Sequence, residues 1–242
     1  MTAPRRRLHL SALLITATSF LAGAAPLPAP PADPRDISGV WFGIGNQDPG
    51  NSHYTPIEGG EPPFSAAGLA VYNKRQAAAT AGNPIRQPAD DCMPHGVPAA
   101  ARLPTPLQVI QTPGQTTIIQ EASRTVRIIF MDEPQAKAPT PTFMGHSVGH
   151  WEGATLVVDT TGLRPNWLDP SGAPAGAQMH VVERFRKIAG GRQLEDVFTI
   201  ADPEYYTRTW TARRVYDWHP DEHVQEYVCE ESQRHEPAGG PS

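Results

Sequence analysis

Hydrophobic and polar positions alternate along most of the second half of the chain. From Leu107 onward, short runs rich in β-branched and aromatic residues are separated by Gly, Pro or Asp. These runs are LQVIQ, TTIIQEA, TVRIIFM, GHSVGHWE, TLVVDTT, HVVERFRK, QLEDVFTI, TRTWTARRVYDW and HVQEYVCEE, and DISGVWFG precedes them. Strands joined by tight turns are typical of antiparallel sandwiches and barrels, and no strand–helix alternation indicates a parallel sheet. We therefore predict a mainly β fold, an antiparallel barrel of about 8–10 strands.

One segment, SAAGLAVYNKRQAAATAGNP, has the composition of a helix instead. Ser65 is a suitable N-cap, the alanines favour a helix, and Gly82 ends it. These features predict a short helix over about 65–81. Its apolar positions, mainly Leu69 and Tyr72, form only a thin stripe. We therefore expect the helix to lie on a surface or to cover an opening like a lid.

The N-terminal residues have the pattern of a secretory signal peptide. Three arginines at 5–7 precede an apolar run over 8–21, and small residues follow at 22–24. Basic, apolar and small-residue regions in this order direct export, so we predict a signal peptide over residues 1–24 and a periplasmic or secreted protein. No later run reaches the ~18 apolar residues of a transmembrane helix, so no membrane span is expected.

The rest of the chain fits a single domain. Residues 25–35 are proline-rich and are predicted to form a tether, 36–235 a single barrel domain, and 236–242 a disordered tail. The net charge of −5 provides no basic face, so nucleic acid is not an expected partner. No sequence pattern indicates an oligomeric state.

The two cysteines, Cys92 and Cys229, are far apart in the sequence. In an oxidising compartment two such cysteines are expected to form one disulfide. Closing so long a loop stabilises a fold by roughly 4 kcal/mol on the chain-entropy model. A catalytic thiol is the alternative, and two cysteines are too few for a cysteine-based zinc site.

A hairpin with its turn at Gly190 and Gly191 is predicted in HVVERFRKIAGGRQLEDVFTI. Two-residue loops place cross-strand partners on the same face, and this register puts Glu183 and Asp196 near each other on the apolar side. The other members of that side are Val181, Phe185, Leu194, Phe198 and Ile200. Burying a lone ionised carboxylate costs several kcal/mol. Glu183 and Asp196 are therefore interpreted either as partners of a structural ion pair with an arginine or as acid–base groups of raised pKa in a cavity.

The segment GHSVGHWEGATLVVDTTG permits three interpretations. Its Gly-x-Ser-x-Gly pattern around Ser147 is that of a serine hydrolase, but a nucleophile elbow needs a strand before the serine and a helix after it. His146 and His150 have the spacing of a helical metal pair. In a strand these histidines lie roughly 13 Å apart. His150 and Glu152 then remain the weak metal candidates, still lacking a third ligand.

The third interpretation is a hairpin turning at Gly153 and Ala154, which suits a type II′ turn. One face then carries Ser147, Gly149, Trp151, Leu156, Val158 and Thr160, and the other carries His146, Val148, His150, Glu152, Val157 and Asp159. The first face has the composition of a core. If it points inward, the histidines lie outside the barrel and take no part in chemistry within it.

A looser hairpin is predicted near the C-terminus, with a loop at residues 219–222. One aromatic face would contain Trp210, Ala212, Arg214, Tyr216, Trp218, Tyr227 and Cys229. Arg214 is then the first candidate to neutralise Glu183 or Asp196. Tyr216, Tyr227 and Trp210 are predicted to contact a ligand together with it.

The segments GHSVGHWEGATLVVDTTG, HVVERF, DPEYYTRTWT and EYVCEE, with CMPHGVP upstream, resemble a widespread family of exported bacterial proteins of unknown function. The usual hairpin of that family has Asp where this chain has Ala154. DISGVW is also similar to the Gly-x-Trp opening of lipocalin-like barrels, in which the tryptophan closes one end. The resemblance implies a lipocalin-like barrel and no particular activity.

These patterns favour a protein that binds or converts a small molecule. We expect a cofactor-independent enzyme of lyase or isomerase type acting on an amphipathic or aromatic metabolite. Glu183 or Asp196 would transfer a proton, His146 or His150 would assist, and Arg214 would hold an anionic group. A carrier or sensor without chemistry is the alternative. A metal-dependent enzyme or a serine hydrolase is the third possibility.

Overall fold

Side chains of the strands alternate between the inside and the outside of a closed barrel. The computed structural model describes residues 28–44, 54–83, 85–86, 88–122 and 125–229. In chain order its elements are β1 Gly39–Gly43, α1 Ala66–Thr80, β2 Leu107–Thr112, β3 Gln115–Gln120, β4 Thr125–Met131, β5 His146–Glu152, β6 Thr155–Thr161, β7 Asn166–Trp167, β8 Pro174–Ala175, β9 His180–Ile188, β10 Gln193–Ala201 and β11 Trp210–Trp218.

Nine strands form the barrel wall in the order β1-β11-β10-β9-β6-β5-β4-β3-β2, and β7 and β8 form a separate two-stranded sheet. The predicted mainly β barrel is therefore confirmed, with one departure from an all-antiparallel wall. Strands β4 and β5 pair in parallel, from Ile129 opposite Ser147 to Met131 opposite Gly149. A long crossover between them allows this pairing, because parallel neighbours cannot be joined by a tight turn.

The prediction of a last strand after β11 is wrong. HVQEYVCEE forms no strand over its described residues, which follow β11 as irregular chain up to Cys229. The edge of β11 pairs with β1 instead, where Trp41 lies opposite Trp218. β1 also pairs with β2 and so closes the barrel.

The two predicted hairpin registers are confirmed. In β5–β6, Gly149 lies opposite Val158 and Trp151 opposite Leu156. Gly153 has φ +61°, which the first central position of a type II′ turn requires. In β9–β10, Glu183 lies opposite Phe198, and Asp196 opposite Phe185. The two carboxylates are therefore diagonal neighbours on one face.

The single α-helix of the described residues begins where the sequence predicts. Ser65 is its N-cap, and its hydroxyl accepts a hydrogen bond from the Gly68 N–H at 3.1 Å. The helix is covered along Gly68, Tyr72 and Arg75, whereas Leu69 is exposed. Gly68 lies so close to the carbonyl oxygen of Tyr205 that a β-carbon there would overlap it. The predicted apolar stripe is thus wrong at Leu69, because the helix packs through a glycine.

Two apolar clusters fill the barrel and its covering loops. One contains Tyr54, Val97, Leu163, Leu168, Ala173, Ala175, Met179, Val181, Phe198, Ile200, Tyr206, Trp210 and Ala212. The other contains Ile37, Trp41, Leu107, Val109, Ile129, Leu156, Val158, Phe185, Leu194 and Tyr216. In β9, β10 and β11, the inward residues at one end belong to the first cluster and those at the other end belong to the second. A polar layer, described below, separates them.

The expected disulfide joins Cys92 to Cys229, with sequence separation 137. Among the described segments, the fold contains no helix with the length and composition of a bilayer span. The predicted signal peptide and C-terminal tail lie outside the described residues. The part of the predicted tether that is described lies along the β9–β10 hairpin, where Lys187 donates to the carbonyl oxygens of Pro31 and Asp33, each at 2.7 Å.

Candidate functional site in the barrel interior

Charged side chains lie between the two apolar clusters. In β9, Glu183 follows Val181 of one cluster and precedes Phe185 of the other. Asp196 in β10 and Arg214 in β11 have the same relation to their neighbours, and they lie directly opposite each other in the register. Inward-facing charges on adjacent strands therefore form a polar layer about one residue thick.

Arg127 of β4 neutralises Glu183. Its Nη1 donates to Glu183 Oε1 at 2.8 Å, and its Nη2 donates to Glu183 Oε2 in a bidentate pair. Nη2 also donates to Thr160 Oγ1 at 2.8 Å, and Nε donates to Ser147 Oγ at 3.1 Å. The two hydroxyls lie 3.0 Å apart and hydrogen-bond to each other. Four strands thus hold one satisfied polar cluster, as a buried ion pair requires.

The pKa of Arg127 lies above its ordinary value. Burial opposes its charge, but the charge of Glu183 and its hydrogen bonds outweigh burial. Arg127 therefore remains a cation inside the barrel. The interpretation of Glu183 as half of a structural ion pair fits this arrangement, although the predicted partner was Arg214.

Asp196 has no comparable partner. Its side chain is almost fully buried, and no described residue donates a hydrogen bond to its Oδ1 atom. Burial raises the pKa of Asp196 well above its ordinary value, and the nearby negative charge of Glu183 raises it further. The charge of Arg127 and a hydrogen bond from the backbone of Arg184 only partly oppose this rise of the pKa. These surroundings favour the protonated form of the carboxyl group.

A small cavity adjoins both carboxylates. Its volume is about 40 Å³, which is room for only a few waters. The lining residues are Val97, Pro98, Ala100, Ala101, Leu107, Ile118, Gln120, Thr125, Arg127, Met144, Glu183, Phe185, Asp196 and Tyr216. The walls are mainly apolar, with the acid–base groups at one side.

A short turn covers this cavity from one end. It consists of the one-turn helix Ala99–Arg102. The Tyr54 hydroxyl donates to the carbonyl oxygen of Pro98 at 2.8 Å, and the Tyr216 hydroxyl donates to that of Ala101 at 3.3 Å. Burial raises the pKa of both tyrosines well above the ordinary value. Two neutral hydroxyls therefore hold the cover over the polar layer.

The other predicted ligand contacts lie elsewhere. Arg214 points inward, and its guanidinium lies so close to Gly43 of β1 that a β-carbon there would overlap it. It is not part of the cavity wall. Trp210 belongs to an apolar cluster and packs against Tyr206. Tyr227 lies after β11 in irregular chain. Of these four residues, only Tyr216 lines the cavity.

The histidines lie on the outer face of the wall. His146 Nδ1 is 2.6 Å from Gln135 Oε1, and the same glutamine donates to Asp159 Oδ1 at 2.8 Å. His180 Nε2 lies 2.9 Å from Asp159 Oδ2. His150 is exposed. The structure does not bring His146 or His150 together with Glu183 and Asp196, because alternate residues of β5 point to opposite sides.

The metal and hydrolase motifs do not assemble into sites. His150 Nε2 lies 3.2 Å from Glu152 Oε1 on the surface, and Arg184 donates to Glu152 Oε2 at 2.6 Å. Among the residues described, no group of three potential metal ligands comes together. Ser147 lies inside β5, so strand rather than helix follows it, and its hydroxyl is engaged by Arg127 and Thr160.

Arg127 is the main residue that the sequence analysis missed. In TVRIIFM the alternate set Val126, Ile128 and Phe130 is the more apolar, so hydrophobicity alone puts that set inside. The structure does the reverse: Val126 is 56% exposed and Ile128 is 40% exposed. The available indication was electrostatic, since two carboxylates on an inner face require a cation nearby.

Comparison with known proteins adds no family. A scan against protein-family models found no match, and a search of curated proteins found none either. The resemblance based on the hairpin segments therefore remains an expectation, and the function has to be argued from the site.

Proposed function

We propose that the protein acts on a small amphipathic molecule within its barrel, by acid–base chemistry of lyase or isomerase type. The observation that carries this proposal is Asp196, a buried carboxyl group that lines a cavity and has one oxygen without a donor among the described residues. Buried polar atoms without partners are rare in native folds, and a ligand is one explanation for them.

Asp196 is the proposed proton carrier. Its raised pKa favours the protonated form, from which it would give a proton to the bound molecule. The resulting carboxylate then takes a proton from a neighbouring carbon, which restores the acid. Moving one proton between two carbons is an isomerisation. Protonating a leaving group while a carbon loses a proton is an elimination.

Glu183 is proposed to tune this acid rather than to react. Its charge is fixed by the bidentate contact with Arg127, and this fixed negative charge favours the protonated form of Asp196. Two carboxylates with separated roles are a recurring feature of acid–base sites. Neither step requires a cofactor or the outer histidines.

Entry of a metabolite requires the cavity to enlarge. The present space admits only a few waters, so we propose that the Ala99–Arg102 turn moves together with Met144, which lines the same cavity. Tyr216 and the apolar wall would then contact the ligand body. A lid that excludes water also protects a proton-transfer step.

A carrier or sensor is the second candidate, and a specific observation favours it. All three guanidinium nitrogens of Arg127 donate hydrogen bonds, to Ser147, Glu183 and Thr160. Such complete pairing is typical of a rigid structural layer. In this case the cavity would bind a similar ligand without turnover.

The cellular location is also proposed. A disulfide persists in oxidising compartments, and the Cys92–Cys229 bond therefore supports an exported protein. The N-terminal pattern of basic, apolar and small residues supports the same location. A chain that carries an affinity tag at its C-terminus would be recovered from the periplasm or medium shortened by about 24 residues, as mass spectrometry can measure.

The test starts with a thermal-shift screen of small amphipathic metabolites, because a ligand that binds only the native state raises its melting temperature. Any ligand found is incubated with wild type, Asp196→Asn and Asp217→Asn, followed by product analysis. Asp217 lies in the same strand as Arg214 and faces outward, where it accepts a hydrogen bond from Gln193 at 3.0 Å. It is the matched control.

We expect Asp196→Asn to bind the ligand and to lose about 10²–10⁴-fold in turnover. Asp217→Asn should behave as wild type. Equal turnover by Asp196→Asn would exclude this residue as the proton carrier. Binding without any turnover in wild type would favour the carrier instead.

A further inference from the structure

A second concave site lies outside the barrel. Its volume is about 440 Å³, far larger than that of the inner cavity. The lining residues are Arg75, Arg86, Pro88, Asp91, Met93, Phe143, Pro165, Asn166, Trp167, Pro174, Ala175 and Tyr205. Helix α1, the β7–β8 sheet and the one-turn helix Pro88–Asp91 enclose this groove. None of its residues takes part in the proposed chemistry of the barrel.

Arg75 dominates the chemistry of the groove. Its guanidinium carbon lies 3.4 Å from the centre of the Trp167 ring, so the two planar groups stack. Nη1 donates to the carbonyl oxygen of Gly172, which fixes the guanidinium from one side. A guanidinium stacked by its face keeps its N–H donors in the plane, available at its edge.

The groove carries one positive charge that its own residues do not balance. Arg86 is paired with Asp91, the carboxylate in the lining. Among the described residues, no carboxylate lies within ion-pair distance of Arg75. Burial lowers the pKa of Arg75 to about 10, which leaves it charged at neutral pH. A partly desolvated cation beside an open groove favours an anionic ligand.

The remaining walls suit a flat molecule. Trp167, Tyr205 and Phe143 provide aromatic surface, and the prolines provide further apolar surface. The Asn166 amide donates to the carbonyl oxygen of His95 at 2.7 Å, and this hydrogen bond holds Asn166 in place in the groove wall. With a single unbalanced charge and Asp91 close by, the groove is suited to a monoanion more than to a phosphate dianion.

We propose that this groove binds a small aromatic carboxylate, with the carboxylate on the Arg75 guanidinium and the ring against the aromatic walls. Arginine recognises carboxylates through a planar fork that lysine lacks. Ligand recognition here is independent of Asp196 and of the barrel cavity.

The test uses 2-naphthoate as the probe and 2-naphthamide as its neutral counterpart. Binding to the folded, oxidised protein is measured by calorimetry and by the indole N–H resonance of Trp167, which is assigned with Trp167→Phe. The variants are Arg75→Met, Arg75→Lys and Asp196→Asn. Arg208→Met, which removes an exposed arginine paired with Glu58 outside the groove, is the control for lost charge.

We expect naphthoate to shift the Trp167 resonance and to bind at least tenfold more tightly than naphthamide. Arg75→Met should remove that tenfold difference, and Arg75→Lys should restore only part of it. Arg208→Met and Asp196→Asn should bind as wild type does. The proposal is overturned if naphthoate leaves the Trp167 resonance of wild type unchanged, if the amide binds equally well, or if Asp196→Asn abolishes binding. The comparison of naphthoate with naphthamide by calorimetry needs no variant to fold.

Discussion

At the scale of single residues, the barrel interior contains two carboxylates in opposite situations. Glu183 is held by Arg127, which also donates to the hydroxyls of two neighbouring residues, whereas Asp196 lies buried nearby with no donor to its Oδ1 atom among the described residues. The same layer therefore pairs Glu183 with a cation and disfavours the ionised form of its diagonal neighbour Asp196. This difference has measurable consequences for stability.

Replacing Asp196 by Asn should change how stability depends on pH. The folded pKa of Asp196 is raised, so the native state holds a proton that the unfolded chain releases above about pH 4. The stability contributed by Asp196 is therefore full below the unfolded pKa and is lost as pH rises through the folded pKa. Relative to wild type, Asp196→Asn should gain about 1.4 kcal/mol per pH unit in that window.

Urea unfolding of wild type and Asp196→Asn from pH 4 to pH 9 measures this difference. Asp217→Asn provides the comparison for an outward-facing aspartate. A difference between Asp196→Asn and wild type that stays constant across the range would mean that Asp196 is ionised in the native protein.

The buried pair should respond strongly to loss of one partner. Arg127→Met leaves Glu183 buried without a counter-charge, and we expect a loss of about 3–5 kcal/mol in the free energy of unfolding. Adding Glu183→Gln to Arg127→Met should recover part of that loss, because the stranded charge is removed. Urea unfolding of both single variants and the double variant gives the coupling energy.

The exposed pair Arg208 and Glu58 is the control, with its atoms 2.8 Å apart. Its removal should leave the unfolding midpoint nearly unchanged, since exposed ion pairs contribute little.

Additive effects of the two substitutions at Arg127 and Glu183 would show that their contact is not a coupled pair.

At the scale of elements, α1 is attached to the barrel domain where its backbone closely approaches a neighbouring loop. The helix contacts the chain at Tyr205 through Gly68, and it reaches the β7–β8 connection through Arg75 and Gln76. Gln76 donates to the carbonyl oxygen of Ser171 at 2.6 Å. Polar anchors and a glycine, together with Tyr72 of the predicted stripe, hold this helix in place.

Substituting Gly68 by Ala tests that attachment. In an isolated helix the change is favourable by about 1 kcal/mol. Here the added methyl group would overlap the Tyr205 carbonyl oxygen, so we expect a net loss of about 1–3 kcal/mol. Ala70→Gly on the exposed side of the same helix is the matched control for propensity alone. An increase in the melting temperature of Gly68→Ala would show that the helix is not held in close contact.

The sequence predicted those elements whose pairing is local. The short connections at Gly153 and at 189–192 keep the register that two-residue turns predict, so the diagonal placement of Glu183 and Asp196 followed directly. Arg127 did not follow, because the more apolar face of β4 is the outer one. The parallel pairing of β4 with β5 was also missed, since a long connection leaves strand direction undetermined.

At the scale of the whole molecule, the two concave sites are separate but share one connection. Phe143 lines the outer groove, and the next residue, Met144, lines the barrel cavity. The Val97 N–H donates to the Phe143 carbonyl oxygen at 3.2 Å, close to the turn that covers the cavity. Movement of this crossover would alter both sites together, even though different residues line them.

The position of β1 has a consequence for the order in which the wall is completed. This five-residue strand is inserted between β2 and β11, so its partners are separated by much of the chain. In a polypeptide that emerges N-terminus first from a ribosome or a translocation pore, β1 cannot pair with β11 until Trp218 has appeared. Until then the sheet has two open edges, which are exposed to proteases and to other unfinished chains. The barrel therefore closes, by pairing of β1 with β11, only after β11 has been released.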